Sequence, residues 1–118
     1  MELKEIMQFK NFVVLGNTIK EDRYAYKIKH ELIKHGYNVA SVSKELSSIN
    51  DVDFEIECLD ICINPEVAIK YLKENKKDIK SCIIQPGAES DSLISLLEEK
   101  NIPYILGCAL VGMSLYKK

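Results

Sequence analysis

Five short apolar runs, spaced at nearly regular intervals, limit the fold of this chain more than any other feature. They begin at Phe12, Asn38, Cys58, Ser81 and Pro103, so their starts are roughly 20 to 26 residues apart. Several are continuously apolar and rich in Val and Ile, which is typical of strands buried on both faces of a parallel sheet. Each interval is long enough for a crossover helix and too long for a hairpin. The pattern therefore predicts parallel strands that alternate with helices.

Three of the segments between these runs carry helix signals. Residues 24–35 place apolar side chains on one face and are followed by Gly36, where a C-terminal cap is expected. Asn64-Pro65-Glu66 predicts the start of a second helix, because Asn is a favoured N-cap and Pro a favoured first residue. A third helix is expected over about residues 90–100. The polar residues 45–55 are expected to form a loop or one irregular helical turn.

These elements predict one α/β domain over residues 1–118, since two domains within this length would each be too small for a stable core. We expect a Rossmann-like, doubly wound sheet of five parallel strands in three layers, with strand order 3-2-1-4-5. An opening amphipathic turn with Leu3, Ile6 and Met7 is expected to pack on the sheet edge. Ligands of such sheets bind outside the carboxyl ends of the strands, here at the expected switch point between strands 1 and 4.

The charge and hydropathy of the chain exclude several classes of function. Lys and Arg (16) nearly balance Asp and Glu (18), the formal net charge is −2, and no basic block is present. We therefore expect neither a nucleic-acid nor a membrane partner. The longest apolar run near the start, residues 12–15, is too short to span a bilayer or to form a signal-peptide core. We expect a cytoplasmic protein.

The four cysteines do not form a Cys-x-x-Cys pair. Cys58 and Cys62 share one face of the third predicted strand, but they would lie about 13 Å apart, too far for a disulfide or a shared zinc. We expect both to be reduced, buried and inert. His30 and His35 fall on the first predicted helix, away from the crevice, and the sequence contains no recognisable catalytic set or metal-ligand cluster.

The residues that are hardest to explain as core follow the strands. A glycine such as Gly16 lets the backbone approach a phosphate, with Thr18 as a hydroxyl donor and Arg23 as a charged clamp. The same glycine is equally consistent with a steric need at the turn, and the chain lacks a full Gly-x-Gly-x-x-Gly. The candidates at the strand ends are Gly16, Asn17, Thr18 and Arg23 after strand 1; Ser43 and Lys44 after strand 2; Asn64 and Pro65 after strand 3; Gln85, Pro86 and Gly87 after strand 4; and Gly107 and Cys108 after strand 5.

Two of these strand ends bear on the identity of the ligand. Enzymes that use NAD place a carboxylate after strand 2, whereas Ser43 and Lys44 suit a phosphorylated ribose, as in NADP or the 3′-phosphate of coenzyme A. A lysine at a strand end is also typical of an ordinary solvated residue. After strand 4, Gly87 permits a turn whose amides are expected to point into the crevice. The amide of Gln85 could hold an adenine, a pantetheine amide or the strand 1 loop.

The order and spacing of these residues resemble the small coenzyme A-binding proteins with a Rossmann-like fold, a family related to the nucleotide-binding domain of the succinyl-CoA synthetase α subunit. The resemblance covers about residues 11–110, and its most specific part is Gln-Pro-Gly followed by Ala-Glu-Ser. The chain departs from the family pattern at two places. At the end of strand 2, Ser41-Val42-Ser43-Lys44 replaces Pro-Val-Asn-Pro, and after the glycine of strand 1, Asn17 and Thr18 replace a small residue and Ser. The matching residues are Gly16, Arg23-Tyr24, Gly36-Tyr37-Asn38-Val39, Asn64-Pro65, Gln85-Pro86-Gly87 and Gly107-Cys108.

The resemblance implies non-catalytic binding of coenzyme A or an acyl-CoA, by a module that acts as a carrier, sensor or regulator. The alternatives are a small NADP-linked enzyme, a thiol or acyl-transfer enzyme that uses Cys108, or a binding-deficient module that contacts a protein partner. Cys108 is otherwise a buried structural cysteine, and a homodimer is compatible with the sequence. The cofactor-binding residues that we predict are Gly16, Asn17, Thr18, Arg23, Tyr24, Ser43, Lys44, Asn64, Pro65, Gln85, Pro86 and Gly87.

Overall fold

A computed structural model describes residues 1–116 and contains the five parallel strands that the apolar runs predict. The Rossmann-like α/β class is confirmed. Each strand begins within one residue of the start of its apolar run, because short Val- and Ile-rich segments favour extended backbone. The strands are β1 (Asn11–Gly16), β2 (Asn38–Ser43), β3 (Cys58–Ile61), β4 (Cys82–Ile84) and β5 (Tyr104–Leu106).

The three predicted helices are present, and the N-cap predicted at Asn64 is confirmed. The Asn64 side chain accepts a hydrogen bond from the N–H of Glu66 (2.9 Å), and Ser90 accepts one from the N–H of Leu93 (3.1 Å). Residues 45–55 contain a single 3-10 turn, Ile49–Asp51. A final helix that periodicity did not predict follows β5. The helices are α1 (Leu3–Ile6), α2 (Tyr24–Lys34), α3 (Pro65–Glu74), α4 (Asp91–Glu99) and α5 (Ala109–Tyr116).

The predicted strand order, 3-2-1-4-5, is wrong, because the observed order is β2-β1-β3-β4-β5. β3 pairs with β1, with Phe12 opposite Cys58 and Leu15 opposite Ile61. Every residue of β3 is buried, whereas the first residues of β2 are exposed or half-buried. The central position suits β3, which is buried on both faces, and the edge suits β2. The switch point therefore lies between β1 and β3, not between strands 1 and 4.

Helices cover both faces of the sheet, and the three predicted layers are confirmed. α3 and α4 pack on the face that carries Leu15 and Leu59, while α1, α2 and α5 pack on the face that carries Phe12 and Cys58. α1 was expected on the sheet edge but packs against α5. Gly112 of α5 allows this close approach, because a Cβ at that position would lie only 2.8 Å from the Sδ of Met7 and would clash with it. None of the helices in residues 1–116 is long and apolar enough to cross a membrane.

Candidate functional site

A cavity of about 620 Å³ opens at the carboxyl ends of the strands, next to the β1/β3 switch point. Its volume is within the range of small-molecule and cofactor sites. Nine of the twelve predicted cofactor-binding residues line it: Asn17, Arg23, Tyr24, Ser43, Lys44, Asn64, Gln85, Pro86 and Gly87. The other lining residues are Ala25, Cys62, Ile63, Ala88 and Cys108.

Three predicted residues, Gly16, Thr18 and Pro65, lie outside the cavity wall. Cys62 and Ile63, which the sequence placed within the third strand, line the cavity instead because β3 ends at Ile61. Their position follows from the β1/β3 switch point. A correct strand order would have identified both residues, because it places the end of β3 at the switch point.

Gly16 is required by packing. A Cβ at this position would lie 2.9 Å from the carbonyl oxygen of Cys62 and 3.0 Å from the Cβ of Ala25. The end of β1 is thus pressed between the chain leaving β3 and the first turn of α2. Of the two explanations that the sequence left open, the structure supports the steric one, because the space beside this glycine is filled by protein.

The loop after β1 uses its polar side chains internally. The Oδ1 of Asn17 accepts hydrogen bonds from the N–H groups of Ile19 and Lys20, both at 3.1 Å. The Oγ1 of Thr18, which is buried, donates to the Oε2 of Glu45 at 2.5 Å. The Thr18 proton is thus held by a carboxylate in this structure, and a contact of this hydroxyl with a phosphate stays a prediction.

Glu45 joins the loops that follow β1 and β2. Its Oε2 also accepts a hydrogen bond from the Nζ of Lys29 at 2.7 Å. Hydrogen bonds from Lys29 and then Thr18 lower the pKa of this carboxyl. Glu45 does not line the cavity. The acid nearest to the end of β2 is thereby occupied by protein groups.

Ser43 and Lys44 form a tight turn at the cavity rim. Ser43 has a φ of +119°, a region that residues with a side chain rarely adopt. The turn is held by two backbone hydrogen bonds: Ser43 donates to the carbonyl of Leu46 (2.8 Å), and Leu46 donates to the carbonyl of Ser41 (3.0 Å). Lys44 is exposed and lines the cavity. The segment that departs from the family pattern thus forms a defined turn with its cation at the cavity.

The loop after β4 is built around buried Gln85. Its Oε1 accepts a hydrogen bond from the N–H of Ala109 at 3.0 Å, at the first residue of α5. Gly87 has a φ of +93°, which confirms the predicted turn. The expectation that the loop amides point into the crevice is wrong for Gly87 and Ala88. Gly87 donates to the Oε2 of Glu89 (2.7 Å), and Ala88 donates to the carbonyl of Gln85 (2.9 Å).

Two thiols, those of Cys62 and Cys108, lie in the cavity wall, and all four cysteines are free. Burial raises the pKa of Cys62 well above its usual value, and the nearby Asp60 carboxyl raises it further. Asp60 is fully buried, and neither of its carboxyl oxygens has a hydrogen-bond partner within residues 1–116. Burial raises the pKa of Asp60 to about 7. Asp60 itself does not line the cavity.

The cavity wall is cationic although the chain carries a net negative charge. Arg23 and Lys44 line it, and no Asp or Glu of the described residues does so. The Arg23 side chain is more than half exposed, with its Nε 3.9 Å from Asp22. His30 and His35 lie on α2 and are absent from the wall, as the sequence predicts. Within residues 1–116 no group of three or more His, Cys, Asp or Glu side chains could hold a metal ion.

Solved structures share this fold over almost the whole chain. The cell-free ID.343 protein of Thermus thermophilus superposes with a TM-score of 0.86 at 22% identity, over 98% of this chain and 99% of that one. A hypothetical protein of Pyrococcus horikoshii OT3 superposes with a TM-score of 0.87 at 21% identity, covering 97% and 89%. An uncharacterized protein is 27% identical, with a TM-score of 0.73 over 91% and 96%.

The sequence itself identifies the family. No curated protein matches the chain. The model of the coenzyme A (CoA) binding domain family, in contrast, matches residues 10–114, which include every residue of the cavity wall. The cavity at the switch point, its Gln-Pro-Gly loop and this match agree, and the chain belongs to the CoA binding domain family.

Proposed function

We propose that the switch-point cavity binds coenzyme A or an acyl-CoA, and that the protein acts without catalysis as a carrier, sensor or regulatory module. The observation that carries this proposal is the charge of the wall, which contains Arg23 and Lys44 and no carboxylate among the described residues. Coenzyme A carries a pyrophosphate and a 3′-phosphate, so a cationic, acid-free wall suits it. A cavity of about 620 Å³ accommodates part of a ligand of this size and leaves the remainder at the surface.

In this proposal Arg23 contacts the pyrophosphate. It is the N-cap of α2, so its guanidinium lies at the end of a helix where backbone N–H groups and the dipole also favour anions. Lys44, at the turn after β2, contacts the phosphorylated ribose. The side-chain nitrogen of Gln85 faces the ligand while its oxygen is held by Ala109. Ala25, Ile63 and Ala88 supply apolar wall for the adenine or the pantetheine arm.

Two observations weigh against the nicotinamide alternative. The carboxylate that NAD requires after the second strand is represented only by Glu45, which is bound to Thr18 and Lys29 and lies outside the wall. Among residues 1–116, no histidine or carboxylate that could act as a general acid or base lines the wall. One observation favours a second candidate, acyl transfer, because Cys108 lines the cavity and is a potential nucleophile.

Titration calorimetry with coenzyme A, dephospho-CoA, NAD and NADP tests the proposal. We expect coenzyme A to bind more tightly than NAD, and dephospho-CoA to bind more weakly than coenzyme A because Lys44 loses its phosphate. Arg23→Ala should weaken binding roughly ten- to a hundredfold, since a hydrogen bond to a charged group contributes about 1.5–3 kcal/mol. Lys34→Ala, at the far end of α2, is the matched control and should leave the affinity unchanged.

The outcomes separate the candidates. Failure of wild-type protein to bind coenzyme A at millimolar concentration would favour the binding-deficient module, and preference for NADP would favour the reductase. For acyl transfer, the protein is incubated with acetyl-CoA and its intact mass is measured. An acetyl adduct that disappears in Cys108→Ser would replace the non-catalytic proposal, whereas unchanged mass would support it.

A further inference from the structure

Asp60 places a carboxyl group in the middle of the sheet. It belongs to β3, the central strand, with Val14 of β1 and Ile83 of β4 opposite it in the register. The carboxyl is fully buried, and neither of its oxygens has a hydrogen-bond partner within residues 1–116. An ionised carboxylate without a partner is costly to bury, so the fold favours the protonated form. Asp60 is therefore a buried proton site inside the sheet.

The groups that face this carboxyl carry no charge near neutral pH. Within residues 1–116 no other Asp or Glu, and no Lys, Arg or His, is buried. The side chains of α1, α2 and α5 that are buried against this face of the sheet are apolar. Thiols and phenols are neutral near pH 7. The titratable groups on this side are the thiols of Cys58 and Cys62 and the hydroxyls of Tyr37 and Tyr116, with Cys82 on the opposite side and Cys108 in the cavity wall.

Asp60 lies directly behind the wall of the switch-point cavity. Cys62, which lines that wall, is two residues further along the chain, so its side chain is on the same side of the sheet about 7 Å away. The Sγ of Cys62 donates to the backbone carbonyl of Asp60 at 3.7 Å. Cys62 also meets the first turn of α2, because a Cβ at Gly16 would lie 3.1 Å from the Cβ of Cys62 and 3.0 Å from that of Ala25. An anion held by Arg23, the N-cap of α2, is therefore on the order of 10 Å from the Asp60 carboxyl.

We propose that binding of an anionic ligand in this cavity is coupled to the uptake of a proton by Asp60, an inference that rests on the proposed binding of coenzyme A. An ionised Asp60 places a negative charge behind the wall that holds the phosphates. The buried apolar groups between the two charges screen their repulsion less than water does. The protonated carboxyl has no such effect, so ligand and proton each favour the binding of the other, and the coupling is reciprocal.

The coupling fixes the direction of the pH dependence. Burial raises the pKa of Asp60 to about 7 in the free protein, and a bound anion raises it further. Below about pH 6 the carboxyl is protonated with or without ligand and does not alter the affinity. As the pH rises above 7, the free protein loses this proton and the affinity falls. At roughly 10 Å and an effective dielectric constant of about 20, the repulsion corresponds to roughly a tenfold change in affinity.

Titration calorimetry with coenzyme A under reducing conditions, in two buffers of different ionisation enthalpy, counts the protons that binding takes up. We expect wild type to take up roughly half a proton more than Asp60→Asn at pH 7.5. This comparison subtracts the titration of the ligand's own phosphate. Asp60→Asn should also bind coenzyme A at least about fivefold more tightly than wild type at pH 8.5, and equally at pH 6. The matched control is Asp78→Asn, an exposed carboxyl that precedes β4 at the opposite end of the sheet, and it should behave as wild type.

A second measurement follows Asp60 in the wild-type protein, so it does not depend on how the variant folds. Carboxyl-carbon nuclear magnetic resonance should show the pKa of Asp60 rising by about one pH unit on saturation with coenzyme A. A pKa that stays constant or falls would overturn the coupling, as would equal proton uptake by wild type and Asp60→Asn. Either result, with coenzyme A still bound, leaves the proposed function intact. Failure of wild type to bind coenzyme A at millimolar concentration would instead overturn the proposed function, and the coupling with it.

Discussion

The side-chain oxygen of Gln85 lies 3.0 Å from the backbone nitrogen of Ala109 and accepts its hydrogen bond. One residue thus joins the end of β4 to the start of α5, while the same side chain lines the cavity. The sequence predicts that the Gln85 amide holds a ligand group or the strand 1 loop, whereas its observed partner within the fold is the start of α5. The structure therefore gives the oxygen of this amide a partner within the fold, and the nitrogen is the group that our proposal places against the ligand.

Replacing Gln85 should therefore reduce both stability and binding. Gln85→Leu leaves the N–H of Ala109 without an acceptor at a buried position, which should lower the free energy of unfolding by about 1–3 kcal/mol. Urea denaturation measures this change. The control is Gln8→Leu, which replaces an exposed glutamine near the start of the chain. Equal midpoints for the two variants would contradict the proposed role of the hydrogen bond.

Gly16 should not tolerate even a methyl group. In Gly16→Ala the added Cβ would lie 2.9 Å from a backbone oxygen, that of Cys62, which cannot move without shifting the chain after β3. We expect a loss of about 1–3 kcal/mol in the free energy of unfolding. Gly107→Ala is a matched control at another strand end, because its nearest neighbouring atom is 3.6 Å away. If both variants unfold at the same urea concentration, the packing explanation of Gly16 fails.

The buried carboxyl of Asp60 should make stability fall as pH rises. Its pKa is raised from 3.8 to about 7 in the folded protein, so between these values the folded state holds a proton that the unfolded state has lost. The contribution of this bound proton to the free energy of unfolding is therefore complete below about pH 4, and it is lost by the time the pH exceeds 7. Since one pKa unit corresponds to about 1.4 kcal/mol, the change is on the order of a few kcal/mol.

Asp60→Asn replaces the titratable carboxyl group with an uncharged amide of nearly the same size. We expect the variant to gain stability over wild type at pH 8, and to lose most of this advantage at pH 4.5. Urea denaturation at the two pH values provides the measurement, with exposed Asp78→Asn as the control. A difference between Asp60→Asn and wild type that is the same at both pH values would exclude the proposed linkage.

The Thr18–Glu45 hydrogen bond should preserve the shape of the cavity rim. Thr18→Val keeps the size of the side chain but removes the donor to Glu45, which joins the loops after β1 and β2. We expect coenzyme A affinity to fall roughly three- to tenfold, a change of up to about 1.4 kcal/mol, although Thr18 does not line the cavity. Thr18→Ser retains the hydroxyl and should behave as wild type in calorimetry. Equal affinity of the Val and Ser variants would show that this bond has no positioning role.

Local sequence signals predicted the elements but not their arrangement. The cap at Asn64 was recognisable because an N-cap bonds to a backbone N–H only two or three positions away. α5 was missed because a uniformly apolar segment has no periodicity to detect. The strand order was missed because β3 pairs with β1 across more than forty residues, and only the burial of β3 distinguishes the centre of the sheet from its edge.

The sequence by itself determined the α/β class, the family and nine of the residues that line the cavity, because strand ends, helix starts and the Gln-Pro-Gly motif are local features. Only the tertiary structure decided what each of these residues contacts. Thr18 and Glu45 are 27 positions apart, and Gln85 and Ala109 are 24 apart, so no local pattern connects them. Each of these pairs satisfies a buried or partly buried polar group, and which groups require partners is known only once the sheet, its strand order and its helices have removed them from water.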